Sequence, residues 1–334
     1  MWPINFYTEV KDSLFFIGIL IMEFCIFKMI KYDEKYNNKN WIVFAVSICL
    51  VNLFRNNGIY IILITLPFLV LILKKRNKLK VVGVILVTII LCSVMQKGII
   101  KYNDIKSGNI AEALSIIIQQ TSRYVVTYDI TDEEKEIIEK IVLIEDIKDN
   151  YNPETVDYVK AKVKSNIPKE DLKDYFTIWF KMFLKHPGVY FTATCNSVYG
   201  YFYPDKMEYK DGVAKFNMDI LENINISNFN IHENYLFANV RKIVTGAVLV
   251  IRNMPFICLL FNCGTYTWIL LIVSFVLLYY KKLKELVCLV PLYVVLLVCI
   301  ASPVNAFIRY MQPIMICAPF LLLLTNVIVK EKNS

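Results

Sequence analysis

Apolar residues concentrate in seven runs, which are separated by short polar connections and by one long polar segment. The runs are 13–30, 41–54, 59–73, 81–96, 256–280, 286–301 and 310–328. An α-helix crosses the hydrocarbon core of a bilayer with about 20 mostly apolar residues, and somewhat fewer suffice when flanking side chains reach the interface. The pattern therefore predicts about seven transmembrane helices, with residues 97–255 inserted between the fourth and the fifth.

Lysine and arginine residues cluster in three of the polar connections. Five of them lie between residues 74 and 80, three lie between 281 and 284, and two follow the last run. Cytoplasmic loops of membrane proteins carry an excess of these residues, so all three connections are predicted to be cytoplasmic. Seven crossings then place the N-terminus and residues 97–255 outside and the C-terminus in the cytoplasm.

Composition also indicates a membrane protein, because hydrophobic residues make up 57% of the chain and soluble domains average about 45–50%. The net charge of +8 lies largely in the proposed cytoplasmic connections. No basic stripe alternates with stacking aromatic residues, so no nucleic-acid partner is predicted. The predicted fold is an all-α polytopic membrane protein. Its parts are a four-helix membrane portion (1–96), an extracytoplasmic and interfacial helical domain (97–255) and a three-helix membrane portion (256–334).

Residues that often bind metals or act as nucleophiles show no site-like spacing. Most of the nine cysteines lie inside apolar runs, where cysteine behaves as a small hydrophobe. Only two histidines are present. The chain has no phosphate-binding glycine loop, nucleophile elbow or zinc signature, so we predict neither a metal nor a cofactor.

The long polar segment carries several helix signals. Thr131 and Glu134 form a capping-box pattern, and Asn152 followed by Pro153 is typical of the start of a helix. The predicted helices are 110–126, 131–147, 152–164 and 169–185. Residues 189–204 and 236–255 are expected at the outer interface, although a crossing by 189–204 or by 236–252 stays open.

Polar residues at the outer ends of the predicted helices are the candidates for chemistry. Lys11 and Asp12 open the first helix, where an acid also serves as a simple helix cap. Arg55 and Asn56 lie between two short apolar helices, in a stretch that is also typical of a turn. A guanidinium near a helix N-terminus is suited to bind phosphate, so both interpretations stay open.

Four further candidates lie in two other places. Gln119, Gln120 and Arg123 lie on the amphipathic segment after residue 110, which can also be a plain surface anchor. Arg309 stands at the outer end of the last run, either as an interfacial anchor or as a second phosphate-binding arginine.

The predicted topology brings the arginines at the helix ends to one side of the membrane. Arg55 and Arg309 would each be costly there without water or an anionic partner. We therefore expect them to approach each other across one outward-opening cavity. Lys11, Asp12 and Arg123 are expected on its rim.

Short motifs are spread over nearly the whole chain. They are Pro3-x-Asn5 followed by Lys11-Asp12, Phe54-Arg55-Asn56-Asn57-Gly58, Glu112-Ala113-Leu114-Ser115 with Gln119-Gln120 and Arg123, Tyr151-Asn152-Pro153, Trp179 with Lys185-His186-Pro187, Gly200-Tyr201-x-Tyr203-Pro204-Asp205, and Arg309-Tyr310. Together these motifs resemble the membrane glycosyltransferases of the GT-C superfamily, and most of all a bacterial branch of the DUF6020 type.

The resemblance implies a multi-pass protein of the bacterial plasma membrane that transfers a sugar from a polyprenyl-phosphate donor to a cell-envelope acceptor. Its partners would be the lipid bilayer and the polyprenyl-phosphate-linked sugar. Arg55, Arg123 and Arg309 would offset the charge of the leaving lipid phosphate. An acidic residue usually activates the acceptor hydroxyl in such enzymes.

The chain departs from that pattern at its beginning. In GT-C enzymes the catalytic acid lies in the first outer loop and precedes the Lys-Asp motif, whereas that motif is Lys11-Asp12 in this chain. We therefore expect a C-terminal portion of a longer protein, or a partner that supplies a separately encoded N-terminal part, and no catalytic residue is assigned. The alternatives are a non-catalytic transporter or flippase for lipid-linked sugars and an inactive truncated fragment.

Overall fold

The computed structural model describes residues 10–103, 110–204 and 256–333, together with the single positions 243, 250 and 254. Within these residues the chain is helical and forms no β-strand. The predicted all-α fold class is therefore confirmed for the described part of the chain. The interfacial stretch predicted at 236–255 lies almost entirely outside it.

The four apolar runs before residue 100 form four helices. They are α1 (Val10–Lys31), α2 (Asn38–Phe54), α3 (Gly58–Ile72) and α4 (Lys75–Tyr102). Asn37 caps α2, because its side chain accepts a hydrogen bond from the backbone N–H of Asn40 at 3.1 Å. Asp12–Lys31 in α1 and the whole of α4 are long and apolar enough to cross a bilayer.

Residues 110–204 fold into six further helices. They are α5 (Ser115–Thr127), α6 (Asp132–Glu139), α7 (Ile144–Asn150), α8 (Asp157–Lys160), α9 (Lys169–Lys185) and α10 (Pro187–Val198). Ile118, Ile138, Ile147 and Tyr175 are fully buried in a hydrophobic core that only these helices and their connections build. This core is separate from the one between the apolar helices. The division of the chain at residues 96 and 255 stays a prediction.

The helix predicted over 131–147 is interrupted. The capping box of Thr131 and Glu134 forms as predicted, but the helix that it starts ends at Glu139. The carbonyl of Ile141 accepts a hydrogen bond from the distant N–H of Lys164 at 3.1 Å. This long-range bond replaces the helical one, and α7 begins three residues later.

The three apolar runs after residue 255 also form helices. They are α11 (Cys263–Tyr279), α12 (Val290–Ala301) and α13 (Ile308–Asn333). Ile308–Lys330 is a third span that is long and apolar enough to cross a bilayer. Helix α13 runs parallel to α1, since Arg309 contacts Asp12 at one end and the Phe24 and Phe320 rings lie 4.7 Å apart further along.

Large apolar side chains cover the outside of the helix bundle. Leu71 and Leu79 are 75% and 76% exposed, and Ile90, Leu91 and Val94 lie on the same uncovered side of their helix. Contiguous apolar surface of this size is unstable in water and is the usual surface of a lipid-facing helix. The exposure pattern therefore agrees with a membrane protein.

Three separated segments meet in what we call the docking seam, which comprises residues 152–156, 199–203 and 302–307. The N–H of Val156 donates to the carbonyl of Pro303 at 3.0 Å, and the N–H of Asn305 donates to the carbonyl of Glu154 at 2.8 Å. These bonds use the backbone groups that a helix would need. The helix predicted over 152–164 is therefore wrong at its start, and only α8 forms.

Tyr201 and its neighbours complete the docking seam. The Tyr201 hydroxyl donates to the carbonyl of Val304 at 2.8 Å and accepts from the N–H of Phe307 at 3.2 Å. The Tyr199 hydroxyl donates to Glu154 at 2.7 Å, and this bond raises the pKa of Tyr199. The seam holds the connection that precedes α13, so it fixes where that helix begins.

We expect Gly58→Ala to destabilise the fold, because a Cβ at position 58 would lie 1.9 Å from the carbonyl oxygen of Val51. Forcing α2 and α3 apart should cost about 1–3 kcal/mol, as other overpacked cores do. Gly83→Ala is the matched control, since a Cβ there meets nothing within 4 Å. The check is the thermal unfolding midpoint of both variants in one detergent, and equal midpoints would contradict the close helix contact.

Candidate functional site

A cavity of about 780 Å³ lies where five helix ends meet. The ends are the starts of α1, α3 and α13 and the last turns of α2 and α12. The lining residues are Asp12, Leu53, Phe54, Arg55, Asn56, Asn57, Tyr60, Glu112, Ala113, Val298, Ala301, Ser302, Arg309 and Tyr310. The volume lies within the roughly 300–1,000 Å³ that small-molecule sites usually occupy.

An ion pair between Asp12 and Arg309 closes one side of the cavity. Arg309 Nε donates to Asp12 Oδ2 at 2.5 Å, and a second guanidinium nitrogen also contacts that oxygen. The Asp12 side chain is 2% exposed, whereas that of Arg309 is 36% exposed and reaches the cavity. A buried carboxylate needs such a partner, so the pair joins the first helix to the last.

Arg55 also lines the cavity, with aromatic surroundings. Its guanidinium carbon lies 4.7 Å from the centre of the Tyr310 ring and 5.4 Å from that of Phe15. Aromatic faces attract a cation and hold it in place. No carboxylate of the described residues lies within ion-pair distance of Arg55, so its donors are available to a ligand.

The turn that carries Arg55 is closed by backbone hydrogen bonds. The N–H of Gly58 donates to the carbonyl of Arg55 at 2.9 Å, and the N–H of Tyr60 donates to that of Asn57 at 3.2 Å. Asn56 is exposed beside Arg55. Helix α3 begins at this turn, and Arg309 lies in the first turn of α13, so the positive ends of two helices lie at the cavity.

Glu112 is a lining residue that the sequence did not suggest as a site residue. Its carboxylate contacts Lys160 at 3.2 Å, and Lys160 also contacts Asp157 at 2.7 Å. Burial opposes the charge of Lys160, but the two carboxylates outweigh it and raise the pKa of Lys160. The Glu112 side chain is 71% exposed, so it reaches the cavity water while its pairing with Lys160 orients it.

The structure separates three predicted site residues from the cavity. Gln119 donates to the carbonyl of Asn152 at 2.8 Å, and Gln120 accepts from the indole of Trp179 at 3.2 Å. Arg123 donates to the hydroxyl of Tyr151 at 3.3 Å. None of the three is among the lining residues. They join α5 to α9 and to the connection after α7, and their position on one amphipathic helix gave no signal of these distant partners.

Of the five remaining candidate residues, four line the cavity, and the side chain of the fifth lies outside the described part of the chain. Asp12, Arg55, Asn56 and Arg309 all line the cavity, so the structure brings together the two arginines that the topology argument paired. Lys11 lies in the first turn of α1, and its side chain is outside the described part of the chain.

The four charged lining residues, Asp12, Arg55, Glu112 and Arg309, sum to zero, but they are unevenly paired. Arg309 pairs with Asp12, and Glu112 pairs with Lys160, which also contacts Asp157. Arg55 is the charged lining residue that has no ion-pair partner among the described residues. An anionic ligand group is therefore favoured beside Arg55, and a planar guanidinium can bind a phosphate through two parallel hydrogen bonds.

The chain matches the model of a protein family over nearly its whole length. The model is described as "Family of unknown function (DUF6020)", and it matches residues 5–334, which include the whole cavity wall. The comparison with curated proteins finds no match, and the comparison with solved structures finds none. The match assigns a family but no activity.

We expect Asp12→Asn to lower the free energy of unfolding by about 1–2 kcal/mol, because it removes the carboxylate partner of Arg309. The expected loss of stability is modest because the Arg309 side chain is 36% exposed and solvent screens its charge. The measurement is a double-mutant cycle with Arg309→Gln, scored by thermal unfolding in detergent. The double variant should be more stable than the sum of the two single changes predicts.

Glu34→Gln provides the matched control for this cycle. Glu34 pairs with Lys74 at 2.6 Å, but both side chains are largely exposed, so loss of that pair should matter little. Strictly additive effects of Asp12→Asn and Arg309→Gln would show that the buried pair does not join α1 to α13.

Proposed function

The chain belongs to the DUF6020 family, and from that premise we propose that it is a GT-C-like membrane glycosyltransferase. It transfers a sugar from a polyprenyl-phosphate donor to a cell-envelope acceptor. The observation that carries the proposal is the guanidinium of Arg55, which lines a cavity at the end of an apolar helix bundle without a carboxylate partner. Such a group is suited to hold the phosphate of a lipid whose tail stays in the membrane.

The proposal includes seven crossings, with the cavity on the outer side. Helices α2 and α11 have 17 residues each, which is about 26 Å at 1.5 Å per residue and close to the roughly 30 Å of the hydrocarbon core. The lysine-rich connection after α3 lies at the bundle end opposite the cavity, where Lys74 contacts Glu34. Placing that end in the cytoplasm follows the charge rule.

The electrostatics of the cavity fit a phosphate that gains charge during the reaction. Arg55 and the starts of α3 and α13 are positive before any ligand binds. Fixed positive groups stabilise a developing anion more in the transition state than in the ground state. Arg309 contributes less, since Asp12 already neutralises most of its charge.

The proposed sugar transfer forms one bond and breaks one bond. The acceptor hydroxyl oxygen forms a bond to the anomeric carbon of the sugar, and the bond from that carbon to the phosphate oxygen breaks. The electron pair leaves with the polyprenyl phosphate, next to Arg55. The acceptor proton goes to a carboxylate, and Glu112 is the lining carboxylate that no arginine holds.

We expect Arg55→Gln to weaken binding of undecaprenyl phosphate about ten-fold or more, because a charge-assisted hydrogen bond is worth roughly 1.5–3 kcal/mol. Arg55→Lys should also weaken binding, since an ammonium cannot form the two parallel bonds. The measurement is the Kd of the purified full chain in nanodiscs for undecaprenyl phosphate and for undecaprenol.

Arg123→Gln is the control, because Arg123 lies outside the cavity. It should leave the Kd within about two-fold, which is under 0.5 kcal/mol. Equal binding of undecaprenol and undecaprenyl phosphate, or equal loss in the Arg55 and Arg123 variants, would sink the phosphate-binding assignment.

Transfer is tested separately from binding. Membranes that contain the chain should move radiolabel from polyprenyl-phosphate-linked sugars into an envelope acceptor, and Glu112→Gln should abolish this without weakening the binding of undecaprenyl phosphate. Movement of the labelled lipid across vesicles without any new labelled product would instead favour a flippase.

A further inference from the structure

Helix α9 carries apolar side chains on two sides. One side holds Tyr175 and Met182, which are fully buried in the core of the outer helices. On another side Phe176, Phe180 and Leu184 are 42%, 53% and 64% exposed. Their spacing of four residues lines them along one face, which we call the α9 ridge.

Lysines run beside the α9 ridge. Lys169, Lys173 and Lys181 line a shallow groove together with Phe176 and Phe180. Lys181 also contacts Glu133 at 3.4 Å, but both of these side chains remain more than half exposed. Asp171 of the same helix pairs with Lys140 on the core side. The face is therefore both apolar and basic.

An additional apolar side chain lies near the C-terminal end of α9. Phe191 of α10 is 65% exposed, and its ring centre is 6.4 Å from that of Phe183. The uncovered aromatic surface thus extends from one helix to the next. A helix face that pointed into water would normally be polar.

The region next to the α9 ridge shows features of a membrane boundary. Helix α10 leads directly from α9 into the docking seam, where the backbone of Phe202 accepts a hydrogen bond from the Trp268 indole at 2.8 Å. Trp268 and Tyr203 are both about half exposed at the same end of α11. Tryptophan and tyrosine are enriched at the membrane–water interface because their rings are apolar but carry a polar N–H or O–H group.

We propose that the α9 ridge lies in the interface of the bilayer and binds anionic phospholipid. Phe176, Phe180 and Leu184 enter the boundary between headgroups and acyl chains, as the apolar face of an interfacial helix does. The lysines extend along the surface and contact anionic headgroups. The contact depends on the bundle lying in a membrane and not on the glycosyltransferase proposal.

The test is photo-cross-linking of the full chain in nanodiscs. p-Benzoylphenylalanine replaces Phe176 in one variant and Phe180 in another, and it replaces Asp174 in the control. Asp174 is exposed on the same helix, but it lies about 160° around the helix from Phe176 and about 120° from Phe180. Lipid adducts are counted by mass spectrometry, with phosphatidylglycerol or phosphatidylcholine as the bulk lipid.

We expect lipid adducts at positions 176 and 180 to exceed those at 174 by about five-fold, with the higher yield in phosphatidylglycerol. The double change Lys169→Gln and Lys173→Gln should remove that lipid preference. The proposal is overturned if positions 176 and 180 give no more lipid adducts than 174. Cross-links to a second copy, or to residues 205–255 of the same chain, would identify a protein occupant of the ridge and would also overturn it.

Discussion

The ion pair between Asp12 and Arg309 is the contact on which the arrangement of the site depends. Asp12 is almost fully buried at the start of an apolar helix, and a charge in that position needs a close counter-charge. Arg309 supplies it from the start of the last helix, 297 residues away in sequence. The pair fixes one side of the cavity and leaves Arg55, which stacks on Tyr310 beside it, as the lining cation without a carboxylate partner among the described residues.

The docking seam links the helices of residues 110–204 to the cavity at the end of the apolar helix bundle. The backbone of Pro303 and Asn305 is hydrogen-bonded to the segment before α8. The Tyr201 hydroxyl is hydrogen-bonded to the backbone of Val304 and of Phe307. This connection ends where α13 begins. Residues 110–204 therefore help to position Arg309, and they contribute Glu112 to the cavity wall directly.

The parts of the structure that depend on local sequence could be predicted, and the parts that depend on distant partners could not. The apolar runs predicted helices that the structure contains, and the capping box predicted at Thr131 and Glu134 is present. The predicted start of a helix at Asn152 failed because that backbone bonds to residues 303–305. The contacts of Gln119 and Glu112 could not be predicted either, because both side chains bind residues that are distant in sequence. Helical periodicity does not show which distant segment a polar side chain contacts.

The most direct test of the account is an experimental structure of the full chain in nanodiscs with undecaprenyl phosphate. The account predicts density for the phosphate in the cavity, within hydrogen-bond distance of the Arg55 guanidinium and beside the starts of α3 and α13. Asp12 should remain in contact with Arg309. A phosphate bound elsewhere, or an Arg55 side chain that faces lipid with the cavity empty, would contradict the central claim.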